Sequence, residues 1–262
     1  MGTILQTIAE HSRLRVIKDR QYLPLDTLKA ICTENSKADG KSFEDALRKP
    51  GISFICEVKK ASPSKGIISE DFPYLNIAQE YVHAGADCIS CLTEPKWFLG
   101  SDDIFKEIRD KVSIPMLRKD FVVDEYQIYQ ARYMGANAVL LICAILDTET
   151  VAKYLELCER LGITAIVETH DENEIKKAVA AGARIIGVNN RNLKDFSVNF
   201  ENCKKLRSHV PDDVIFIAES GIRTADDIEA LRKEKVDAVL IGETLMRAQD
   251  KRKMLESLRN GA

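Results

Sequence analysis

Long apolar runs are missing from this 262-residue chain, although 45% of its residues are hydrophobic. No stretch approaches the roughly 20 residues that a membrane-spanning helix needs. Basic blocks are missing as well. Lys and Arg number 38 against 41 Asp and Glu, for a formal net charge of -3, so nucleic acid is not expected as a partner. The opening MGTILQTIAEHSRLRVIKDR carries charges throughout and has no uninterrupted apolar centre, unlike a signal peptide. Gly2 resembles a myristoylation start, but Gln6 stands where Ser or Thr is usual. A cytoplasmic protein without membrane contact is expected. Histidine is scarce, and His11, His83, His170 and His209 form no HExxH pairing. Neither usual nucleotide-binding loop occurs: no GxGxxG follows the first strand-like run, and GxxxxGKS or GxxxxGKT is absent. Cysteine is present but uneven in number. Most of the seven lie in apolar runs, which reads as reduced, buried thiols. Cys88 and Cys91 in CISC have metal or redox spacing. Residues three apart in a strand point to opposite faces, however, and no second Cys or His pair accompanies them. No metal is expected.

What is present is a repeat. AGADCISCLTE, MGANAVLLICA, LGITAIVETH, AGARIIGVNN and EKVDAVLIGE each leave a helix-like stretch and enter a short apolar run. Most carry Gly where the helix should stop, as a left-handed cap requires. Eight apolar runs read as strands: Ser53–Lys60, Cys88–Thr93, Pro115–Phe121, Ala138–Ala144, Thr164–His170, Ile185–Asn190, Val214–Ser220 and Ala238–Glu243. Helical periodicity is clearest in Asp124–Met134, Thr148–Leu161, Glu172–Ala181, Ala225–Lys233 and Thr244–Leu258. Alternating strand and helix predicts a parallel α/β sheet, and eight such units predict a closed (β/α)8 barrel. A doubly wound open sheet is the alternative. Residues 1–50 precede the repeat. ILQTIAEHSRLRVIKDR and SFEDALRK read as two helices of an extension packed on the barrel, which itself spans 51–262 as one domain.

The charges are placed oddly. FICEVKKASPSKG begins as a buried strand, yet ends in Glu57, Lys59 and Lys60. Alternation puts Ile55, Glu57 and Lys59 on one face, and Phe54, Cys56 and Val58 on the other. Lys119, Glu168, Asn189 and Glu219-Ser220 end other runs in the same way. In a (β/α)8 barrel those ends meet on one rim, where active sites are built. A barrel needs some polar residues where strands emerge, and Lys60, Arg118 and Asp120 can be solvated or paired. Convergence from five strands instead favours a catalytic mouth, because unpaired buried ions cost several kcal/mol each. Ser220-Gly221 follows the seventh run and Gly242 the eighth, both ahead of helices. Glycine lets backbone N–H groups approach an anion, so a phosphate site is expected there.

EVKKASPSKG, LTEPKWFLGS, LRKDFVVDEYQIYQARYMGANAVLLI, GVNNRNLKDF, AESGI and LIGETLMR together resemble the indole-3-glycerol phosphate synthase family, from Phe54 to Arg247. The extension resembles that family's too. The resemblance implies a lyase of tryptophan biosynthesis that works without metal or organic cofactor. Its substrate would be 1-(2-carboxyphenylamino)-1-deoxyribulose 5-phosphate, which undergoes ring closure, decarboxylation and dehydration. By the same resemblance, Lys119 is the general acid of closure, and Glu168 and Lys59 share the acid and base work of the later steps. Glu57 orients Lys59, Asn189 holds the reacting hydroxyl, and Glu219 is a further carboxylate of the mouth. Ser220, Gly221, Gly242 and the Glu243 backbone cradle phosphate. Some relatives have Ser at position 243, and the Glu carboxylate is expected to contribute nothing to the phosphate. Pro63, Phe98, Phe121, Leu140, Ile142 and Phe196 are expected to wall the anthranilate ring, with Leu140 and Ile142 equally readable as core. Arg191 is a candidate for the substrate carboxylate. SPSKG reads as a loop that closes Ser62 and Lys59 over the substrate. A lysine in such a mouth, beside another cation, is expected to have a lowered pKa.

Three competing readings remain open. Phosphoribosylanthranilate isomerase chemistry wants a Cys/Asp pair at strand ends. A Schiff-base aldolase would use Lys59 or Lys119 as nucleophile. A non-catalytic barrel subunit would not need the polar constellation. Association is open between a monomer and a weak homo-oligomer.

Overall fold

The computed structural model describes residues 3–34, 39–192 and 195–260. Gly2, and Leu193 and Lys194 of the GVNNRNLKDF segment, lie outside the described residues. Three helices come first: α1 (Ile4–Tyr22), α2 (Leu25–Glu34) and α3 (Gly40–Leu47). Then follow β1 (Ser53–Val58), β2 (Ala61–Ser62), β3 (Gly66–Ile67), α4 (Tyr74–His83), β4 (Cys88–Leu92), α5 (Asp102–Arg109), β5 (Met116–Lys119) and α6 (Glu125–Tyr133). The alternation continues through β6 (Ala138–Ile142), α7 (Thr148–Leu161), β7 (Thr164–Thr169), α8 (Glu172–Ala180), β8 (Ile185–Asn189) and α9 (Glu201–Arg207). It ends with β9 (Ile215–Glu219), α10 (Ala225–Lys233), β10 (Ala238–Ile241), α11 (Glu243–Arg247) and α12 (Lys251–Asn260). Apart from β2 and β3, which pair as a small antiparallel hairpin, the strands are parallel and close in the order β1-β10-β9-β8-β7-β6-β5-β4. This is the expected (β/α)8 barrel.

Strand alternation builds two cores. Ile55, Cys88, Leu117, Leu140, Ile166, Ile217 and Leu240 fill the interior. Cys56, Cys91, Met116, Leu141, Val167, Phe216 and Val239 belong to the layer under the helices. Cys88 and Cys91 therefore sit on opposite faces, as alternation dictates. Each large side chain buried this way is worth about 1.5–3 kcal/mol. The repeat also has its reason: Gly85, Gly135, Gly162 and Gly182 close their helices at φ between 64 and 85°, and Lys235 fills the same role in the fifth copy at φ 55°. Asp124, Asp147, Asp171 and Thr224 start helices on the other side of the strands, each accepting an N–H from the first turn.

The extension does more than cover a flank. Phe43, Ala46 and Leu47 of α3 join the interior core. Thr164 Oγ1 donates to the Gly40 carbonyl at 2.7 Å, and Ser53 Oγ to the Ala46 carbonyl at 2.8 Å, so α3 closes the N-terminal end of the barrel. Leu5 and Ile8 of α1 join the same core from the opposite end. Arg15 of α1 then grips the buried Asp120 through both carboxylate oxygens, at 2.8 and 2.9 Å.

Two expectations need correction. The extension has three helices: LDTLKAICTE forms α2, whose Leu28 and Cys32 pack with Val16 and Tyr126. The stretch Thr244–Leu258 is not one helix. Ala248 turns extended at φ -67° and ψ 132°, which separates α11 from α12. Among the described residues no helix is long and apolar enough to cross a membrane.

Candidate active site

On four strands the interior face runs apolar and then turns charged at the C-terminal end. Ile55 is followed two residues on by Glu57 and four on by Lys59. Leu117 leads to Lys119, Ile166 to Glu168, and Ile217 to Glu219. Registers place Glu168 beside Gly187 and Asn189 beside Glu219. Gly187 is needed there, because a Cβ at that position would collide with Glu219 Oε1. The result is a cavity of about 400 Å³ at the C-terminal rim.

Lys119 stands at its centre. Its Nζ donates to Glu219 Oε2 at 2.6 Å and to Glu168 Oε2 at 3.1 Å. Burial alone would lower its pKa, but Glu219 and then Glu168 raise it well above the usual lysine range. The expectation of a lowered lysine fails here. The groups in contact with Lys119 are carboxylates, not a second cation. Glu168 is buried, which works against its charge, yet Lys119 and His170 hold it far below the usual carboxylate range. Glu219 goes the other way. Burial pushes it up to about 7, against the pull of Lys119, and Glu168 adds repulsion. Its Oε1 is buried with no hydrogen-bond partner among the described residues. Asn189 donates weakly to Glu168 Oε1 at 3.4 Å.

Lys59 pairs directly with Glu57. Both press on Gly242, where a Cβ would meet Glu57 Oε1 and Lys59 Nζ. That glycine is therefore required by the ion pair as well as by any anion. Ser220 and Gly221 both take positive φ, 67° and 85°. Thr244 Oγ1 donates to the Ile222 carbonyl at 2.7 Å, tying the two glycine loops together. Glu243 starts α11, and its carboxylate gathers cations: Arg247 at 3.2 Å, Lys65 at 3.6 Å and Arg191 at 3.8 Å. This carboxylate, not expected to serve the phosphate, holds the cations of this end together.

The opposite wall is apolar. Phe98 and Phe121 face each other with ring centroids 6.0 Å apart, next to Leu140 and Ile142. Buried Glu94 accepts the N–H groups of Lys96, Trp97 and Phe98 at 3.0, 2.7 and 3.0 Å. That chelation folds the LTEPKWFLG loop and aims Phe98 inward.

A family model for indole-3-glycerol phosphate synthase matches residues 5–258. The indole-3-glycerol phosphate synthase of Ruminiclostridium cellulolyticum is 53% identical over 259 residues, covering 99% of this chain and 100% of that protein. The chain belongs to the indole-3-glycerol phosphate synthase family. The family's protein from Endomicrobium trichonymphae is 51% identical over 257 residues, with 98% of this chain and 100% of the relative covered. Solved structures of more distant proteins share the fold alone. 3-Hexulose-6-phosphate synthase from Salmonella typhimurium has a TM-score of 0.65 at 13% identity, covering 79% of this chain and 97% of that one. Thiamine phosphate pyrophosphorylase from Pyrococcus furiosus has 0.61 at 18%, covering 83% and 96%.

Every residue that the synthase resemblance singled out lines the one cavity, from Glu57, Lys59, Ser62 and Pro63 through Phe196 to Glu243. Sequence reasoning missed others. Ile4, Leu5 and Ile8 of α1 complete the apolar wall, and no local pattern announces it. His170 lies against Glu168; their spacing of two at a strand end was the available signal. Arg118 and Asp120, read as solvated or paired, are paired. Asp120 accepts from Thr93 at 2.6 Å as well as from Arg15. Arg118 bonds Asp102 at 2.8 Å. SPSKG makes the turn of the β2–β3 hairpin, with Gly66 at φ 63°.

Proposed function

We propose that this cavity binds 1-(2-carboxyphenylamino)-1-deoxyribulose 5-phosphate and converts it to indole-3-glycerol phosphate, carbon dioxide and water. Family membership makes indole-3-glycerol phosphate synthesis the activity of the chain; the reaction steps and residue roles are our reading. The observation that carries it is Lys119 bracketed by Glu168 and Glu219, with an apolar wall on one side and glycine loops on the other.

The anthranilate ring takes the wall of Pro63, Phe98, Phe121, Leu140, Ile142 and Phe196, extended by Leu5 and Ile8. The phosphate takes the loops of Ser220-Gly221 and Gly242-Glu243, where backbone N–H groups and nearby cations favour an anion. Ring closure needs the ketone made electrophilic. Lys119 supplies an ammonium whose raised pKa suits an alkoxide-like oxygen, a strongly basic acceptor, better than exchange near neutrality would. A new carbon–carbon bond forms at the ring carbon bearing the carboxylate; carbon dioxide then leaves, and the electron pair of the broken bond stays on the ring and restores its aromaticity. The hydroxyl made from the ketone then departs as water. Glu168 and Lys59 share that step, one removing a proton and the other giving one to the hydroxyl. Glu57 orients Lys59, and Asn189 steadies the hydroxyl. Arg191, between the two ends, is positioned for an acidic group of the substrate.

Lys119 as a Schiff-base nucleophile would need a neutral amine, which both carboxylates oppose. Isomerase chemistry through a cysteine has no support in the mouth, since Cys56 lies in the outer layer and burial pushes its thiol far up. In this reading the enzyme is a carboxy-lyase, cytoplasmic, with a phosphorylated small molecule as partner, acting as a monomer or weak homo-oligomer. Residues 1–50 are a helical extension of a single 51–262 barrel domain. Incubation with the carboxyphenylamino-deoxyribulose phosphate should yield indole fluorescence and carbon dioxide in equal amounts. Absence of both with folded protein would sink the reading.

A further inference from the structure

His170 leaves the end of β7 two residues after Glu168, so both side chains lie on the same side of the strand line. Thr169 between them points away and donates to the Gly187 carbonyl at 3.1 Å. The chain then turns into α8, with Asp171 capping the helix by accepting the Glu174 N–H at 2.9 Å. That turn folds Glu174 back onto His170. Glu174 Oε2 accepts the His170 backbone N–H at 2.8 Å and lies 3.0 Å from the ring Nδ1. The other ring nitrogen, Nε2, is buried and lies 3.4 Å from Glu168 Oε1, an ion-pair contact without hydrogen-bond geometry. A neutral imidazole has one N–H and could serve only one of these carboxylates, whereas the imidazolium serves both.

We propose that His170 is a positioning residue: a charged imidazolium, strapped from behind by Glu174, that keeps Glu168 ionised and turned toward Lys119 throughout the reaction. The proposal rests on the acid and base roles assigned above. Its logic is local: Glu168 has two cations in reach, Lys119 at Oε2 and His170 at Oε1. When Lys119 gives its proton to the ketone oxygen, Glu168 loses the partner at its Oε2. Without a second cation at Oε1 it would take up a proton and cease to be a base for dehydration.

The groups that face His170 agree with this. Burial alone would lower the imidazole pKa, but Glu168 and Glu174 raise it to about 10. Cys143, on the loop after β6, feels both carboxylates as well as Lys177 of α8, and burial holds its thiol neutral by pushing it up to about 12. Lys119 and Glu219 lie beyond Glu168. The Asp171 carboxylate is turned to the helix start. Asn202 donates to the His170 carbonyl at 3.1 Å, which fixes the turn without touching the ring.

Two measurements test it. In the ligand-free protein, ¹⁵N NMR of the imidazole nitrogens, assigned by the signal lost in His170→Asn, should show His170 doubly protonated past pH 8. A midpoint near the ordinary value of about 6.5 would overturn the proposal, and this readout does not depend on any turnover. In steady-state assays His170→Asn should lower kcat by about tenfold or more with KM nearly unchanged, and move the acid limb of the kcat profile up by about one unit. Glu174→Gln should do the same more weakly, since it loosens the strap and leaves the ring. A folded His170→Asn enzyme with the unaltered pH profile would also overturn it. Absence of turnover in the unaltered protein would instead count against the assigned reaction, and leave the NMR outcome to decide the charge of His170.

Discussion

The two ends of the barrel are made from the same strands and bury opposite things. At the N-terminal end, α3 inserts Phe43 and Leu47, and the polar groups it covers are neutral ones bonded to backbone carbonyls. At the C-terminal end, α1 inserts Leu5 and Ile8 beside a cluster of ions that includes Lys119, Glu168 and Glu219. Neutral hydrogen bonds and apolar packing carry no charge into low dielectric, so the first end adds stability. Buried ions largely offset their own attraction by lost hydration, so the second end holds chemistry at little or no net gain to the fold. Damage to the first end is expected to spare the reaction, and damage to the second to show first in turnover.

The sharpest break of that contrast is Lys119→Met. We expect kcat to fall about 10⁴-fold, with substrate affinity within about tenfold, because the proton donor is removed while ring and phosphate contacts stay. The melting temperature should fall, because the buried Glu168 and Glu219 lose their shared cation, and a folded variant with near-full turnover would remove Lys119 from the acid role. Phe43→Ala is the mirror experiment. It should cost about 3 kcal/mol or more in chemical unfolding, while turnover per folded molecule at the far end is preserved. Loss of turnover in step with stability would show the ends to be coupled. Gly242→Ala probes the charged end more gently. Its methyl group must push the Glu57–Lys59 pair aside, so KM should rise and kcat fall, each by about tenfold, and a change in KM alone would mean the glycine serves the anion only.

Smaller effects are expected from pH. His170 has a raised folded value of about 10, so it contributes stability that is full below the unfolded value of about 6.5 and lost as pH rises through the folded one. The unaltered protein should therefore lose its advantage over His170→Asn as the pH of a thermal scan rises from about 7 to about 10. An advantage that grows over that window would reverse the sign of the argument. The smallest effect belongs to Cys88→Ala with Cys91→Ala. Each should cost about 1 kcal/mol through lost packing on its own side of the sheet, with activity per folded molecule unchanged and no sensitivity to chelators. Inactivation by a chelator would return CISC to consideration as a metal site.

The charged ends were legible because a strand's two faces follow from a period of two. Glu57 and Lys59 could be assigned to the interior from Ile55 alone, and the same held for Lys119, Glu168 and Glu219. The helix-stopping glycines were equally local. LDTLKAICTE was missed as a helix, since what its apolar residues pack against, Val16 and Tyr126, is not contiguous with it. The break at Ala248 was missed because Thr244 to Leu258 is periodic on both sides of it.

The sequence by itself determined the order of strands and helices, the face on which each charge emerges and, through its motifs, the family. These depend on neighbours within a few positions or on residue identity. Only the tertiary structure decided the ionisation of the mouth and the makeup of its apolar wall. Lys119 meets Glu168 across 49 residues and Glu219 across 100, and the partners met at that range turned an expected lowered pKa into a raised one. Ile4, Leu5 and Ile8 reach Phe98 and Phe121 only after the barrel has closed beneath them. Electrostatic energy in a buried site depends on distances through space, and the chain encodes those distances only once it is folded.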